Sequence, residues 1–117
     1  MGTHKDLEVW NMSMDFVVDL YKLTRDFPDE EKFGLVSQMR RSAVSIPSNI
    51  AEGAGRQGVK ENIQFLYIAL ASITELDTQL ILSQRLGFCD SSKEINGLGI
   101  IKSKLINFIK YLKNIKK

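Results

Sequence analysis

The chain has 117 residues, 44% of them apolar and 26% charged, with a net charge of +2; this is the size and balance of one domain, residues 1–117, that buries its own core. No uninterrupted apolar run reaches the roughly 18 residues of a membrane span, and the first residues carry no apolar signal segment. The single cysteine, Cys89, excludes an internal disulfide and a cysteine-based zinc site, so a reducing, cytoplasmic setting without a membrane partner is expected.

The first helix is expected over residues 6–26. Leu7, Trp10, Met14, Val17 and Tyr21 recur at steps of three and four and form its core stripe. Phe16, Leu20, Leu23 and Phe27 form a second apolar set off that stripe, which implies burial on two sides and contacts between subunits. Phe27-Pro28 ends this helix, and the acids Asp29, Glu30 and Glu31 suit the first turn of the next.

The second helix is expected over residues 29–53, with Met39, Ala43, Ile46 and Ile50 on one stripe. Pro47 removes a hydrogen bond and clashes with the Ala43 carbonyl, at a cost of about 3 kcal/mol in a regular helix. The apolar spacing crosses Pro47 in phase, which predicts one helix kinked there. Ser42, Ala43, Ser45, Ser48 and Ala51 are small and permit close approach of a neighbour. Gly53 or Gly55 suits a left-handed helix cap.

The third helix is expected over residues 59–86, about 40 Å long. Ile63, Leu66, Leu70, Ile73, Leu76 and Leu80 form its main stripe, and further apolar residues elsewhere mark it as central. Gly87 follows as a terminating glycine, with Phe88 for the accompanying hydrophobic contact. The fourth helix is expected over residues 91–116, opened by a capping box of Ser91 and Glu94. Leu98, Ile101, Leu105, Phe108, Leu112 and Ile115 form its core face, with Lys102, Lys110, Lys113 and Lys117 opposite. No stretch shows the alternation of a strand. The fold class is therefore all-α, an antiparallel up-down-up-down four-helix bundle.

Residues 1–94 hold 10 Lys/Arg against 14 Asp/Glu, whereas residues 95–117 hold six lysines and no acid. Such a tail marks a polyanion-binding face, or lysines gathered on the solvated side of a last helix, whose C-terminus favours cations. Of Arg40 and Arg41, one either pairs with Glu52, Glu75 or Asp77 from an adjacent helix or shares a phosphate contact with Arg56 and the lysines of the fourth helix, since arginine suits both partners. Gly53-x-Gly55-x-x-Gly58 matches a dinucleotide fingerprint in letters only: a helix precedes it, not the strand the fingerprint requires. The start of the third helix beside Arg56 and Lys60 is either a phosphate contact or a plain helix-breaking loop. A di-metal bundle site needs two Glu-x-x-His pairs, and His4 is the only histidine. Cys89 and the serines have no placed histidine base. No enzymatic activity, cofactor or metal is expected.

Leu7-Glu8-Val9-Trp10, Phe27-Pro28, Gln38-Met39-Arg40-Arg41-Ser42-Ala43 and Ser45-Ile46-Pro47-Ser48-Asn49-Ile50-Ala51-Glu52-Gly53 resemble the 23S ribosomal RNA intervening-sequence proteins. Phe65-Leu66-Tyr67-Ile68-Ala69 and Glu75-Leu76-x-x-Gln79-Leu80 continue the likeness to about Gly87. The resemblance implies a four-helix bundle assembled as a ring-like homopentamer, without established enzymatic activity. It also implies a relation to accessory proteins of diversity-generating retroelements, hence nucleic acid, RNA or DNA, and a reverse transcriptase as partners; this chain is less basic than that role favours. Ser45, Pro47, Asn49, Glu52 and Gly53 are its structural motif residues. The expected function is a homo-oligomeric binding module for nucleic acid or a ribonucleoprotein, with Arg40, Arg41, Arg56, Lys60, Lys102, Lys110 and Lys113 as contacts. The alternative is a structural or protein-interaction scaffold without nucleic-acid binding.

Overall fold

The computed structural model describes residues 2–115. Four helices carry the fold: α1 (Glu8–Thr24), α2 (Leu35–Ala54), α3 (Val59–Arg85) and α4 (Ser92–Ile115), with no strand among the described residues. They form an elongated body of 49 × 20 × 19 Å. Each helix packs on its neighbours in the chain, most extensively α2 on α3, and α1 meets α4 to close the arrangement. Residue 116, expected at the end of the fourth helix, and Lys117 lie outside the described residues.

The core contains Met39, Ala43, Ile46 and Ile50 from α2, Ile63, Leu66, Ile73, Leu76 and Leu80 from α3, and Leu98, Ile101, Leu105, Ile109 and Leu112 from α4. In α4 the buried position is Ile109; Phe108 is half-buried and Ile115 exposed. Although α3 is long and apolar enough to cross a membrane by length and composition, its core stripe here faces other helices.

In α1 the second apolar set carries more of the core than the expected stripe, of which Leu7, Trp10 and Val17 pack half-buried against it. Val9, Ser13, Phe16, Leu20 and Thr24 are buried, whereas Met14 and Tyr21 of the expected core stripe are exposed. Ser13 and Thr24 join the buried face because their hydroxyls donate to the helix's own carbonyls, Ser13 to Trp10 (2.8 Å) and Thr24 to Leu20 (2.9 Å). An apolar count misses a stripe completed by self-satisfied hydroxyls.

The start of α2 also differs. Asp29–Glu31 form a separate 3-10 turn, and α2 begins at Leu35 after Gly34 (φ −109°, ψ −108°). The three acids thus precede α2 instead of occupying its first turn. The helix then continues through Pro47 to Ala54. Neither Gly53 nor Gly55 adopts a positive φ. Gly53 is instead a packing glycine: a Cβ there would lie 2.7 Å from Asn62 Oδ1, 3.0 Å from the Asn62 carbonyl oxygen and 3.1 Å from Phe65 Cβ.

The end of α3 follows the expected pattern. Gly87 takes φ 79°, its N–H donates to Gln84, and the Phe88 N–H donates to Ser83, each at 3.0 Å. These are the two bonds of a Schellman motif, and the Phe88 ring meets Phe27 at 5.5 Å between centroids. The Ser91–Glu94 capping box is replaced. Ser91 is fully buried, its hydroxyl lies 2.9 Å from the Leu80 carbonyl and 3.0 Å from Gln84 Oε1, and its N–H donates to that same Gln84 oxygen. Asp90 accepts from the Ser92 N–H (3.0 Å) and hydroxyl (2.6 Å) at the start of α4, and these two bonds hold its carboxyl below the usual carboxylate range.

Gly53→Ala is expected to lower stability by about 1–2 kcal/mol, because overpacking of this kind costs about 1–3 kcal/mol against a helix-propensity gain of up to about 1 kcal/mol. Gly99→Ala, where an added Cβ meets nothing within 4 Å, is expected to raise it. The urea midpoints of the two variants should move in opposite directions.

Candidate nucleic-acid interface

The structure divides the seven candidate cations. Arg40 is half-buried and engaged: its Nε donates to Thr24 Oγ1 (3.0 Å), Nη2 donates to the Tyr21 carbonyl (3.3 Å), and the guanidinium lies 4.3 Å from the Tyr21 ring centroid. It ties the start of α2 to the end of α1 and pairs with none of the expected carboxylates. Arg41 is exposed and lines a polar cleft of about 540 Å³ between α2 and α3, together with Ser42, Ser45, Ser72 and Glu75. Within that cleft the Ser45 and Ser72 hydroxyls are 2.8 Å apart.

Arg56 and Lys113 flank the N-terminal half of α3. Arg56 Nη2 donates to Glu52 Oε2 (2.8 Å), and its guanidinium stacks 4.7 Å from the Phe65 ring centroid. Lys113 Nζ donates to the Tyr67 hydroxyl (2.6 Å) and lies 5.2 Å from the Tyr67 ring centroid. Lys60 is exposed in the first turn of the same helix. Lys102 and Lys110 are exposed at spacings that put them on the Lys113 face of α4. Lys104, not among the expected contacts, pairs with Glu8 of α1 at 3.0 Å. Arg56, Lys60, Lys110 and Lys113 therefore belong to one end of the molecule, while Arg40 and Arg41 lie away from them on α2.

Two aromatic shelves beneath the cations were not foreseen. Phe65 and Tyr67 hold Arg56 and Lys113 by cation–π contacts worth about 0.5–1 kcal/mol at exposed sites. The sequence signal was present, since 65 and 67 point to different sides of a helix, toward the preceding and following helices. The chain before α3 forms no phosphate cradle of left-handed glycines: Gly58 is extended (φ −97°, ψ 142°), and α3 has no side-chain cap.

The motif around Pro47 joins α2 to α3. Asn49 Nδ2 donates to the Ser45 carbonyl (2.8 Å) and hydroxyl (2.9 Å), and Ser45 in turn meets Ser72. Glu52 holds Arg56, and Gly53 admits Asn62. Ser45, Asn49, Glu52 and Gly53 thus make contacts within α2, with α3 or with the chain that leaves α2.

A second surface lies on the other side of α2. His4, Trp10, Met14, Val17 and Val18 face Val44, Pro47, Ser48 and Ala51 across an apolar groove of about 370 Å³. His4 closes one end, its ring 5.0 Å from Trp10 in an edge-to-face contact.

Cys89 is half-buried. Burial pushes its thiol up, Glu94 and Asp90 add to the rise, and a hydrogen bond with Ser91 partly opposes it. A raised pKa means less thiolate at neutral pH and a weaker nucleophile.

Residues 5–111 match the family described as 23S rRNA-intervening sequence protein. No curated protein matches the chain significantly.

Two outcomes are expected. Arg40→Ala should lower stability by about 1–3 kcal/mol in urea denaturation, the scale of hydrogen bonds to a charged group, while leaving any RNA affinity unchanged. Iodoacetamide should alkylate Cys89 at pH 7.5 more slowly than an exposed cysteine peptide, with the rate still climbing above pH 9.

Proposed function

Because the chain belongs to the 23S rRNA-intervening sequence protein family, we propose that it is a non-enzymatic, homo-oligomeric binding module for nucleic acid or a ribonucleoprotein, acting in the cytoplasm. The observation that carries this reading is the cluster around the N-terminal half of α3, where Arg56, Lys60, Lys110 and Lys113 stay exposed. Among the described residues only Arg56 of these four enters an ion pair, and Glu52 opposite it is exposed. Cations steadied on Phe65 and Tyr67 present charge to phosphates with little further ordering, and repetition around an oligomer multiplies weak contacts into avidity. Lys102 extends the same face along α4. Arg41 is a separate contact, and Arg40 serves the fold.

The proposed assembly is a ring-like homopentamer of up-down-up-down bundles. Supporting the up-down order, Arg40 near the start of α2 meets Thr24 at the end of α1. Met39 meets Ser83 at the other end of α3, and Gly53 meets Asn62. Lys113 near the end of α4 meets Tyr67. A bend of α2 at Pro47 belongs to the same reading, since the missing N–H leaves the Ala43 carbonyl without its helical donor.

A second reading, a protein-interaction scaffold without nucleic acid, is favoured by the apolar groove between α1 and α2. A protein partner such as a reverse transcriptase fits either reading.

Fluorescence anisotropy with a structured RNA, titrated from about 50 to 200 mM salt, separates the two. Binding should weaken linearly on logarithmic axes, and replacing Arg56, Lys60, Lys110 and Lys113 with Gln should flatten the slope by about 0.7–0.9 per lost phosphate contact. Absence of binding at the lowest salt, or binding insensitive to salt, overturns the nucleic-acid reading in favour of the scaffold.

A further inference from the structure

The polar cleft between α2 and α3 holds groups that the chain itself leaves without partners. Its volume of about 540 Å³ is that of a small-molecule site. Arg41 and Ser45 line it from α2, Ser72 and Glu75 from α3, and Phe33, 89% exposed, borders it from the preceding turn. Arg41 and Glu75 bring opposite charges to one cleft, yet among the described residues neither enters an ion pair.

The serine pair adds an unused donor. Ser45 Oγ accepts from Asn49 and lies 2.8 Å from Ser72 Oγ. One hydroxyl proton makes the Ser45–Ser72 bond, so the other hydroxyl keeps a proton with no acceptor among the described residues. Ser72 is 9% exposed, a setting in which an unused donor is costly. On α3, the spacing 72, 75, 79 puts Gln79 on the same side, one turn beyond Glu75. Gln79 is 7% exposed, and its buried Oε1 has no hydrogen-bond partner. Unused donors therefore gather at Arg41 and the serine pair, and unused acceptors at Glu75 and Gln79.

That division selects the chemistry of a ligand. A phosphate would satisfy Arg41 but face Glu75, with Asp29, Glu30 and Glu31 just before Phe33. A simple cation would satisfy Glu75 but face Arg41, with Lys32 Nζ 5.5 Å from the Phe33 ring centroid. A zwitterion suits both walls. Its carboxylate matches the fork of a guanidinium, and its ammonium brings donors for the carboxylate and amide oxygens.

We propose that this cleft binds a free α-amino acid with an aromatic side chain. The carboxylate goes to Arg41 and the spare serine hydroxyl, the ammonium to Glu75 and Gln79 Oε1, and the ring to Phe33, since aromatic pairs gain beyond their burial. The site goes beyond the nucleic-acid reading and does not depend on oligomeric state. Its occupancy takes Arg41 from the phosphate contacts and leaves Arg56, Lys60, Lys110 and Lys113 as they are.

The test titrates the isotopically labelled full chain with L-phenylalanine and follows amide chemical shifts. Binding should saturate at millimolar concentration or below and shift the amides around Arg41, Ser45, Ser72 and Glu75. Phenylalaninamide, without the carboxylate, and phenylpropionate, without the ammonium, should bind at least about tenfold more weakly. Arg41→Gln and Glu75→Gln should each weaken phenylalanine binding about tenfold or more, the scale of a hydrogen bond to a charged group. Both positions are exposed, and unchanged shifts away from the cleft show that the variants keep the fold. Glu75→Gln should also close the gap between phenylalanine and phenylpropionate. No saturable shift, shifts centred elsewhere, equal binding of the three compounds, or folded variants that bind like wild type each overturn the site.

Discussion

The structure depends on how closely α2 approaches α3. At one end of their contact Gly53 brings its bare Cα against Asn62, whose buried Oδ1 has no hydrogen-bond partner and fills the space a side chain on Gly53 would need. Farther along, Ser45 and Ser72 join hydroxyl to hydroxyl, and at the other end Met39 accepts a hydrogen bond from Ser83. Small residues allow the backbones to come together, and the short polar groups they carry are satisfied across the seam or by the helices' own carbonyls. A larger residue at any of these points would separate the helices and open voids among Ile46, Ile50, Leu66 and Ile73, where packing is felt to the level of a methylene.

That seam also fixes what remains for the surface. Once α2 gives its core stripe to the interior and its small residues to α3, its outward side retains Val44 and Ser48 beside α1. Trp10, Met14, Val17 and Val18 of α1 meet them there. The groove is a by-product of α1 burying its Phe16–Leu20 side. The basic end has a similar origin, since Phe65 and Tyr67 flank the core residue Leu66 and become shelves for cations from the adjoining segments.

Helix content was legible because the signals agreed: unbroken apolar spacing, Pro28 at one boundary, and Gly87 with Phe88 at another. What was hidden depended on partners distant in the chain. Ser91 resembled a cap, but the interior claimed it for Leu80 and Gln84. Gly53 resembled a terminator because a packing glycine and a capping glycine are the same letter. Ser13 and Thr24 masked the buried face of α1 because hydroxyls that bond to their own helix behave as core residues. Of the candidate cations, none could be sorted from sequence: Arg40 and Arg41 are adjacent, yet one is spent on Thr24 and Tyr21 while the other faces a cleft. The distribution of charge along the chain was legible; its commitment to particular partners was not.

The order of helix contacts has a kinetic consequence. Three of the four packed pairs join consecutive helices, so their formation closes only short connections. Loop-closure entropy grows with the logarithm of separation, and chains dominated by such local pairings fold fast. The α1–α4 seam is the exception, spanning most of the chain while holding the least extensive of the four helix contacts. The contact of greatest sequence separation is therefore also the least extensive. On these grounds the α2–α3 pair, most extensive and nearly contiguous, is the expected nucleus, and the α1–α4 seam the expected place of first opening.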